Sequence, residues 1–149
     1  RVARQGDVLT DPEPADLEPI VESAWEGATH HASATLRYEG VPAVSTDPDR
    51  LHELFENLFS NAVEHAGEDV TVRVGPLETG FYVEDDGPGI PEEIRDSVFD
   101  HGVTTSDDGS GYGLSIVRTI ANAHGWDVSM TESDDAGARF TVTGIEFVD

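Results

Sequence analysis

Asp85 begins the segment of this chain whose residue types are best suited to chemistry. It follows the apolar run 81–83 and leads into Gly87, Gly89 and Ile90 in the pattern Asp-x-Gly-x-Gly-Ile. Glycines lack a Cβ, so a ligand can approach their backbone closely. A carboxylate can accept a hydrogen bond from the exocyclic amine of a base. The segment therefore predicts contact with a purine, and a tight turn that binds nothing is the alternative.

A second glycine-rich segment follows further along the chain. Gly109, Gly111 and Gly113 alternate with other residues and lead into Leu114, where an apolar helical pattern begins. The first N–H groups of a helix have no partner within it, and the helix dipole there favours an anion. The segment predicts a phosphate site, with a flexible linker as the alternative.

Two asparagines supply a third candidate site. Asn57 and Asn61 lie four residues apart, and Glu53 lies four residues before Asn57. Residues at this spacing share one face of a helix. A carboxamide oxygen can bind magnesium where nucleotide phosphates and water supply the other ligands. Solvated asparagines on an exposed helix face are the alternative.

The helix that carries the asparagines has the clearest pattern in the chain. Asp47 is suited to the N-cap and Pro48 to the first helical position, and Gly67 marks the end. Its apolar residues recur at helical spacing and form one stripe: Leu51, Leu54, Phe55, Leu58, Phe59 and Ala62. Such a stripe predicts a helix packed on a core.

Strands and helices interleave in the rest of the first half. Residues 17–28 predict a helix with four apolar residues on one face: Leu17, Ile20, Val21 and Ala24. Residues 34–38 and 41–45 are β-like, and Glu39-Gly40 between them predicts a hairpin. Two more strands are predicted at 70–74 and 80–84, with a turn at Gly75-Pro76.

The second half predicts a short helix at 91–98 and a loop at 100–111 that is long enough to act as a lid. A helix is predicted over 114–123, ending at Gly125. Strands at 126–130 and 138–143 then close the domain around a turn at 134–137. The whole order indicates one α+β domain.

Composition limits the functional classes. The 149 residues include no cysteine, which excludes disulfides and thiolate metal sites. No apolar run approaches the roughly 20 residues of a membrane span. The chain has 31 acidic against eight basic residues, a net charge of −23, and every basic residue is arginine. This charge argues against nucleic acid as a partner and favours a halophilic, haloarchaeal cytoplasm, where salt screens the repulsion.

With these elements placed, the sequence resembles the ATP-binding catalytic domain of sensor histidine kinases, in the wider superfamily of gyrase, the Hsp90 chaperone and MutL. Four segments carry the resemblance in family order: 47–62 as the N box, Asp85-x-Gly87-x-Gly89 as G1, 98–100 as the F box, and 109–114 as G2. The resemblance implies a two-layer α/β sandwich, the Bergerat ATP-binding fold. Its mixed sheet is covered on one face by helices, and a lid closes over ATP.

The resemblance also implies residue roles. Asn61 corresponds to the magnesium ligand, and Asn57 to a residue that contacts phosphates or positions the water of the metal. Asp85 corresponds to the aspartate that reads adenine. Close approach of the base is then expected at Gly87, Gly89 and Ile90. Phosphate contacts are expected from the backbone at Gly109, Gly111, Gly113 and Leu114.

Two departures from the family pattern concern the phosphates. The family usually places a basic residue after the asparagine, where this chain has Glu64 and His65. The lid also lacks the arginine that is frequent in the family and has these residues instead: His101, Thr104, Thr105 and Ser106. Phosphate charge would then be met mainly by magnesium, backbone amides and salt. His65 is either a further phosphate contact or, as the favoured alternative, a solvated histidine at the helix end. These departures affect the expected catalytic rate more than binding.

The reaction implied by the resemblance is transfer of the γ-phosphoryl group of ATP to a histidine, with magnesium as the second cofactor. No histidine of the chain has the setting of the family's phosphoacceptor. We therefore expect residues 1–14 to be a linker from a missing acceptor and dimerisation helix, and 15–149 to be the catalytic domain. The expected partners are that acceptor domain and a receiver protein. The fragment would be monomeric and its parent homodimeric.

Three alternatives stay open at this point. Clamp ATPases of the gyrase, Hsp90 and MutL type use a glutamate four residues before the metal asparagine, where this chain has Asn57. A degenerate module would bind nucleotide or a protein for regulation only. A serine kinase of the anti-sigma type shares the same boxes. The expected location is cytoplasmic, and membrane attachment of the parent is left open.

Overall fold

The structure, a computed structural model, describes residues 13–29, 33–66, 69–87, 114–132 and 137–147. Within these ranges the helices are α1 (Leu17–Thr29), α2 (Pro48–Ala66) and α3 (Leu114–His124). The strands are β1 (Glu13–Ala15), β2 (Thr35–Tyr38), β3 (Val44–Thr46), β4 (Thr71–Leu77), β5 (Gly80–Asp85), β6 (Asp127–Glu132) and β7 (Ala138–Thr143). No described helix is long and apolar enough to cross a bilayer.

The main sheet has five strands in the order β2-β4-β5-β7-β6. Strands β2 and β4 are parallel, and the other neighbours are antiparallel. Alternate residues are buried along β7 and along most of β4, whereas β5 between them is buried over nearly its whole length. The buried apolar residues of these strands form one core with the helices. The predicted α+β sandwich, with a mixed sheet covered on one face, is confirmed.

Helix α2 forms the centre of the helical layer. Asp47 acts as its N-cap, because Oδ1 accepts the Arg50 N–H at 3.4 Å and the carbonyl accepts the Leu51 N–H at 2.9 Å. All six residues of the predicted apolar stripe are buried. Phe55 stacks on Phe81 of β5 with ring centroids 5.1 Å apart, which fixes α2 over that strand.

Helix α1 also matches its prediction. Leu17, Val21 and Ala24 are buried against α2. Trp25 meets Phe59 edge-on, with ring centroids 5.1 Å apart. Burial of one apolar face on α2 is what holds this helix, since its other face is exposed.

The predicted hairpin over 34–45 is wrong. Strand β2 pairs with β4 in parallel, Thr35 opposite Thr71, whereas β3 pairs with β1 in a separate two-stranded sheet. Gly40, between β2 and β3, has a φ of 77°, in the left-handed region. Pairing of β2 with β4 is favoured over the hairpin because it packs Leu36 and Tyr38 against the core.

The predicted turn at Gly75-Pro76 is also wrong. Both residues lie within β4, opposite Tyr82 and Phe81, and the turn falls at 78–79. Strand β2 pairs only with Thr71 to Val74, so the missing N–H of Pro76 lies beyond the paired stretch. A Cβ at Gly75 would lie 2.5 Å from the Tyr82 hydroxyl oxygen, so a side chain there would displace the Tyr82 ring.

The C-terminal elements agree with prediction. Helix α3 ends before Gly125, whose φ of 80° ends the helix in the left-handed conformation. Strands β6 and β7 pair over their full lengths. In the predicted linker, Glu13 and Pro14 instead pair with β3, while residues 1–12 lie outside the described ranges. The predicted helix at 91–98 and the lid at 100–111 also lie outside them.

Candidate nucleotide-binding site

Asp85 is the last residue of β5, and its side chain lies on the helical side of the sheet. Successive strand residues point to opposite faces, so Asp85 shares the inner face with Phe81 and Val83. Its side chain is buried, with a relative exposure of 7%. A buried carboxylate at the end of an apolar strand needs partners, because desolvation of a charge is costly.

Two backbone amides orient the carboxylate. Oδ1 of Asp85 accepts the N–H of Gly87 at 2.9 Å and the N–H of Ala138 at 3.2 Å. The Gly87 bond closes the tight turn that was the alternative interpretation of this segment. These two hydrogen bonds fix the orientation of the Asp85 carboxylate.

Burial raises the pKa of Asp85, and hydrogen bonds from Gly87 and Ala138 oppose this shift. The negative charge of Asp86 adds to the rise. Ionised Asp85 is therefore a desolvated acceptor, and such acceptors form stronger hydrogen bonds than exposed ones.

Gly137 lies against Asp85 in the candidate site, whereas sequence reasoning assigned it only to a turn. A Cβ at Gly137 would overlap the Asp85 carbonyl oxygen and lie 2.5 Å from Asp85 Oδ1. Only glycine lets this backbone come so close to the carboxylate. The sequence signal that could have identified Gly137 is its position directly before a strand, where a glycine often marks a close approach of the backbone to another group.

Asn61 of α2 is buried, with a relative exposure of 3%. Its Oδ1 has no hydrogen-bond partner among the described residues. Leaving a buried acceptor unsatisfied costs about 1–3 kcal/mol, so such an atom calls for a ligand. A buried carboxamide oxygen fits a magnesium ion, which binds oxygen ligands.

The other two polar residues of the predicted stripe behave differently. Asn57 is half-buried, and its Nδ2 donates to the Glu53 carbonyl at 2.8 Å. The Glu53 side chain pairs with Arg50 at 3.3 Å instead of joining the asparagines. The structure thus separates Glu53 from the predicted trio.

His124 joins the two helices that carry site residues, and sequence reasoning did not single it out. Its Nδ1 donates to the Ile120 carbonyl at 2.9 Å, which leaves Nε2 as an acceptor. Nε2 accepts the Asp47 N–H at 3.2 Å and lies 2.8 Å from Thr46 Oγ1. The end of α3 is thereby fixed to the start of α2. The ring stacks on Trp126, and burial lowers the pKa of His124.

Leu114 is the first residue of α3, and its side chain is buried in the core. The other predicted contacts of base and phosphates fall outside the described residues: Gly89, Ile90, Gly109, Gly111 and Gly113. The same holds for the side chains of Glu64 and His65. These assignments stay predictions.

The mixed sheet under the three described helices forms an α/β sandwich, with a buried and oriented carboxylate at one strand end as its candidate ligand site. The profile of the histidine kinase-, DNA gyrase B- and HSP90-like ATPase family matches residues 46–146. The chain belongs to this family. Its match lies with the ATP-binding catalytic domain of sensor histidine kinases.

Named relatives agree with this assignment. The sensor histidine kinase ZraS of Escherichia coli O157:H7 is 33% identical over 137 residues, covering 85% of this chain and 30% of ZraS. The chain thus spans under a third of that relative. The mycobacterial sensor histidine kinase MprB has the same fold, with a TM-score of 0.76, 22% identity, and coverage of 91% of this chain and 100% of that one. Full-length ShkA in complex with AMPPNP has a TM-score of 0.73 at 26% identity, over 95% of this chain and 33% of ShkA.

Proposed function

We propose that this domain binds Mg-ATP and transfers its γ-phosphoryl group to a histidine on another domain of the same parent protein. The observation that carries the proposal is the Asp85 carboxylate, which is buried and oriented by the amides of Gly87 and Ala138. Family membership supplies the chemical context.

Asp85 would select adenine. Its carboxylate accepts a hydrogen bond from the exocyclic amine of adenine, whereas guanine presents a carbonyl oxygen at the same position of the ring. A hydrogen bond to a charged group is worth roughly 1.5–3 kcal/mol, and a carbonyl facing the carboxylate would leave both acceptors unpaired. Adenine nucleotides are therefore preferred.

Asn61 would hold the magnesium ion, because its buried Oδ1 has no partner among the described residues. When bound, magnesium neutralises phosphate charge and supports in-line phosphoryl transfer. Asn57 lies one helical turn earlier on α2 and would contact a phosphate or a metal-bound water. Its Nδ2 bond to the Glu53 carbonyl fixes the side chain against the helix.

Phosphates would be held mainly by backbone. Helix α3 begins at Leu114, directly after Gly109, Gly111 and Gly113 in the sequence. Backbone N–H groups at a helix start suit phosphate. The domain would then position ATP and neutralise its charge, with no covalent enzyme intermediate.

The acceptor histidine and the dimer interface would belong to a domain preceding residue 15. A receiver protein would take the phosphoryl group from that histidine. The fragment would be a monomer, as the proposed dimer forms through other residues.

The residue type at position 57, a carboxamide, argues against an ATPase of the clamp type. Those enzymes need a base at the position of Asn57, and a carboxamide cannot accept the proton of an attacking water. Glu53, the next carboxylate along α2, pairs with Arg50. A regulatory module that binds nucleotide without transfer is the second candidate, favoured by Glu64 at a usually basic position.

Calorimetric titration in concentrated KCl tests the proposal. ADP and a non-hydrolysable ATP analogue are titrated, with and without magnesium, into the wild type, Asp85→Asn and Asp86→Asn. The last variant is the matched control. It makes the same charge change at an exposed neighbour whose carboxylate accepts the Thr71 N–H.

We expect binding by the wild type and Asp86→Asn, a gain with magnesium, and binding weakened at least about tenfold in Asp85→Asn. Equal binding by all three proteins would refute the role of Asp85. Transfer from ATP to a supplied acceptor domain then separates the kinase from the regulatory module.

A further inference from the structure

Helices α2 and α3 are joined at one end by His124. Its Nε2 accepts the Asp47 N–H at 3.2 Å and lies 2.8 Å from Thr46 Oγ1. Because Nδ1–H donates to the Ile120 carbonyl at 2.9 Å, Nε2 of the neutral ring carries no proton, and the Thr46 hydroxyl donates to it. We call the His124 ring, the Thr46 hydroxyl and the Asp47 N–H the α2–α3 link.

The imidazole ring of His124 has little freedom to turn. Its Nδ1 is bound to the backbone of its own helix, and the ring stacks on Trp126 with centroids 4.0 Å apart. Trp126 is itself buried, and its N–H donates to the Ala121 carbonyl at 2.9 Å. The direction of the Nε2 lone pair relative to α3 is therefore fixed. The link thus sets where α3 ends relative to the start of α2.

Apolar packing already holds α3 on the core. Four side chains of this helix are buried: Leu114, Val117, Ile120 and Ala121. Such packing is non-directional, so it sets the position of a helix less sharply than hydrogen bonds do. Burying the Thr46 hydroxyl, whose residue has a relative exposure of 0%, is costly unless the hydroxyl has a partner. The buried link therefore adds a defined position to a helix that apolar contacts already bind.

The link lies at the opposite end of both helices from the candidate nucleotide site. The end of α3 meets the start of α2, and the two helices pack against each other, so they run antiparallel. Leu114 lies ten residues before His124 in α3. Asn57 lies ten residues after Asp47 in α2. At about 1.5 Å per residue, both are about 15 Å from the link. The start of α3 is therefore level with Asn57, and Asn61 lies one turn further along α2.

This arrangement makes the link the fixed end of a lever. A tilt of α3 by about 4° at its linked end would move its start by about 1 Å, over a length of about 15 Å. A misplacement of about 1 Å in a site can reduce a rate about a hundredfold. The spacing between the start of α3 and the asparagines of α2 thus depends on a link that lies away from both.

We propose that His124 is a positioning residue of the nucleotide site, which sets the distance between Asn61 and the start of α3. The proposal rests on the proposed function, in which Asn61 holds magnesium and the start of α3 holds phosphates. The adenine subsite does not depend on the link, because Asp85 is oriented by the amides of Gly87 and Ala138, outside both helices. Loss of the link should therefore weaken binding of the phosphates and spare the base.

Two variants separate the hydrogen bond from the packing of the ring. His124→Phe keeps a ring beside Trp126 but has no acceptor for the Asp47 N–H. His124→Gln loses the ring, but its side-chain oxygen can accept the same N–H. Val21→Ala is the matched control, since it removes a buried contact between α1 and α2 and lowers stability away from the link.

The affinities of ADP and adenosine are measured at pH 7.5 in concentrated KCl with magnesium, by NMR titration. Adenosine has the base without the phosphates. We expect His124→Phe to bind ADP at least about fivefold more weakly than wild type, and adenosine within about twofold. His124→Gln should bring ADP affinity back to within about twofold of wild type. Val21→Ala should leave both affinities unchanged.

A measurement without ligand tests the positioning directly. Residual dipolar couplings of the backbone amides in the free protein give the angle between α2 and α3. We expect this angle to change by several degrees in His124→Phe. It should stay that of wild type in His124→Gln and Val21→Ala.

An unchanged helix angle in His124→Phe would overturn the proposal. Equal weakening of ADP and adenosine would also overturn it, because His124 would then be structural only. So would an ADP affinity that His124→Gln fails to restore, since the acceptor would then not be what matters. A wild type that binds no ADP would refute the proposed function, whereas the helix angle would still decide whether His124 positions the two helices.

Discussion

Gly137 and Asp85 are in such close contact that a methyl group on Gly137 would overlap the Asp85 carbonyl oxygen and stand 2.5 Å from Oδ1. The next residue, Ala138, donates its N–H to the same Oδ1. The start of β7 thus both shapes and orients the carboxylate at the end of β5. Adenine recognition by Asp85 would depend on a residue far away in the sequence.

Gly137→Ala should therefore reduce ADP affinity at least about tenfold and destabilise the fold by about 1–3 kcal/mol, the usual cost of overpacking. Calorimetry and urea unfolding measure the two effects. Gly40→Ala is the control. Its φ of 77° strains any side chain, yet a Cβ there meets nothing within 4 Å. It should lose stability by about 1–2 kcal/mol but keep its ADP affinity; unchanged affinity in Gly137→Ala would contradict the prediction.

The sequence predicts an element well when neighbouring residues in the chain determine it, and poorly when residues far apart in the chain do. Helix α2 was predictable because its N-cap and apolar stripe are local signals, and both are confirmed. The hairpin over 34–45 failed because β2 pairs with β4, more than thirty residues later in the chain. Periodicity shows that a segment is a strand but does not reveal its partner.

The site divides in the same way. Motif spacing and helical periodicity single out Asp85 and Asn61, and both side chains are buried. Their roles in ligand binding stay predictions. Gly137 and His124 are not singled out in this way, since each acts through a residue more than fifty positions away. Only the tertiary structure brings such residues together.

Asp85 should also link nucleotide affinity to pH. Burial raises its pKa, and the proposed bond to adenine needs the ionised carboxylate. As pH falls, ADP affinity should therefore begin to decrease at a higher pH than for an ordinary aspartate, whose pKa is about 3.9. Titrations with ADP at a series of pH values measure this, and an affinity that is constant down to the ordinary pKa would contradict it.

Asp85 should make the stability of the free protein depend on pH in the opposite sense to ADP affinity. A carboxyl whose folded pKa is raised stabilises the fold below its ordinary pKa, and this contribution is lost as pH rises through the folded pKa. Asp85→Asn stays neutral and keeps an oxygen for the amides of Gly87 and Ala138. Its stability relative to wild type should thus increase from pH 4 to pH 7 in urea unfolding. A constant difference would show that burial does not shift this group.

His124 should make the fold sensitive to mild acid. Burial lowers its pKa, so the folded protein holds the neutral ring while the unfolded chain takes up a proton near the ordinary value of about 6.5. The contribution of neutral His124 to the free energy of unfolding is then fully present above this pH and decreases as pH falls below it. His124→Phe should flatten this decrease, because it keeps a ring beside Trp126 but cannot titrate.

His124→Phe also leaves the Asp47 N–H without its acceptor, which should lower the free energy of unfolding by about 1–3 kcal/mol at pH 7.5. His52→Phe is the control, since His52 is a half-buried histidine on α2 for which Ser23 and Glu56 are the neighbours. It should leave the His124 contribution to the pH profile in place. Parallel profiles for wild type and His124→Phe would exclude the proposed proton uptake.

Asn61 should show opposite effects on stability and on ligand binding. Its buried Oδ1 has no partner among the described residues, so Asn61→Leu, a variant of similar volume, removes an unsatisfied acceptor and should leave the free protein equally stable or more stable. The gain in ADP affinity with magnesium should disappear, because the proposed metal ligand is gone. Asn61→Asp keeps an oxygen ligand but buries a charge, so it should retain magnesium dependence while losing stability. Urea unfolding and paired titrations with and without magnesium separate these effects, and a magnesium gain that survives in Asn61→Leu would place the ion elsewhere.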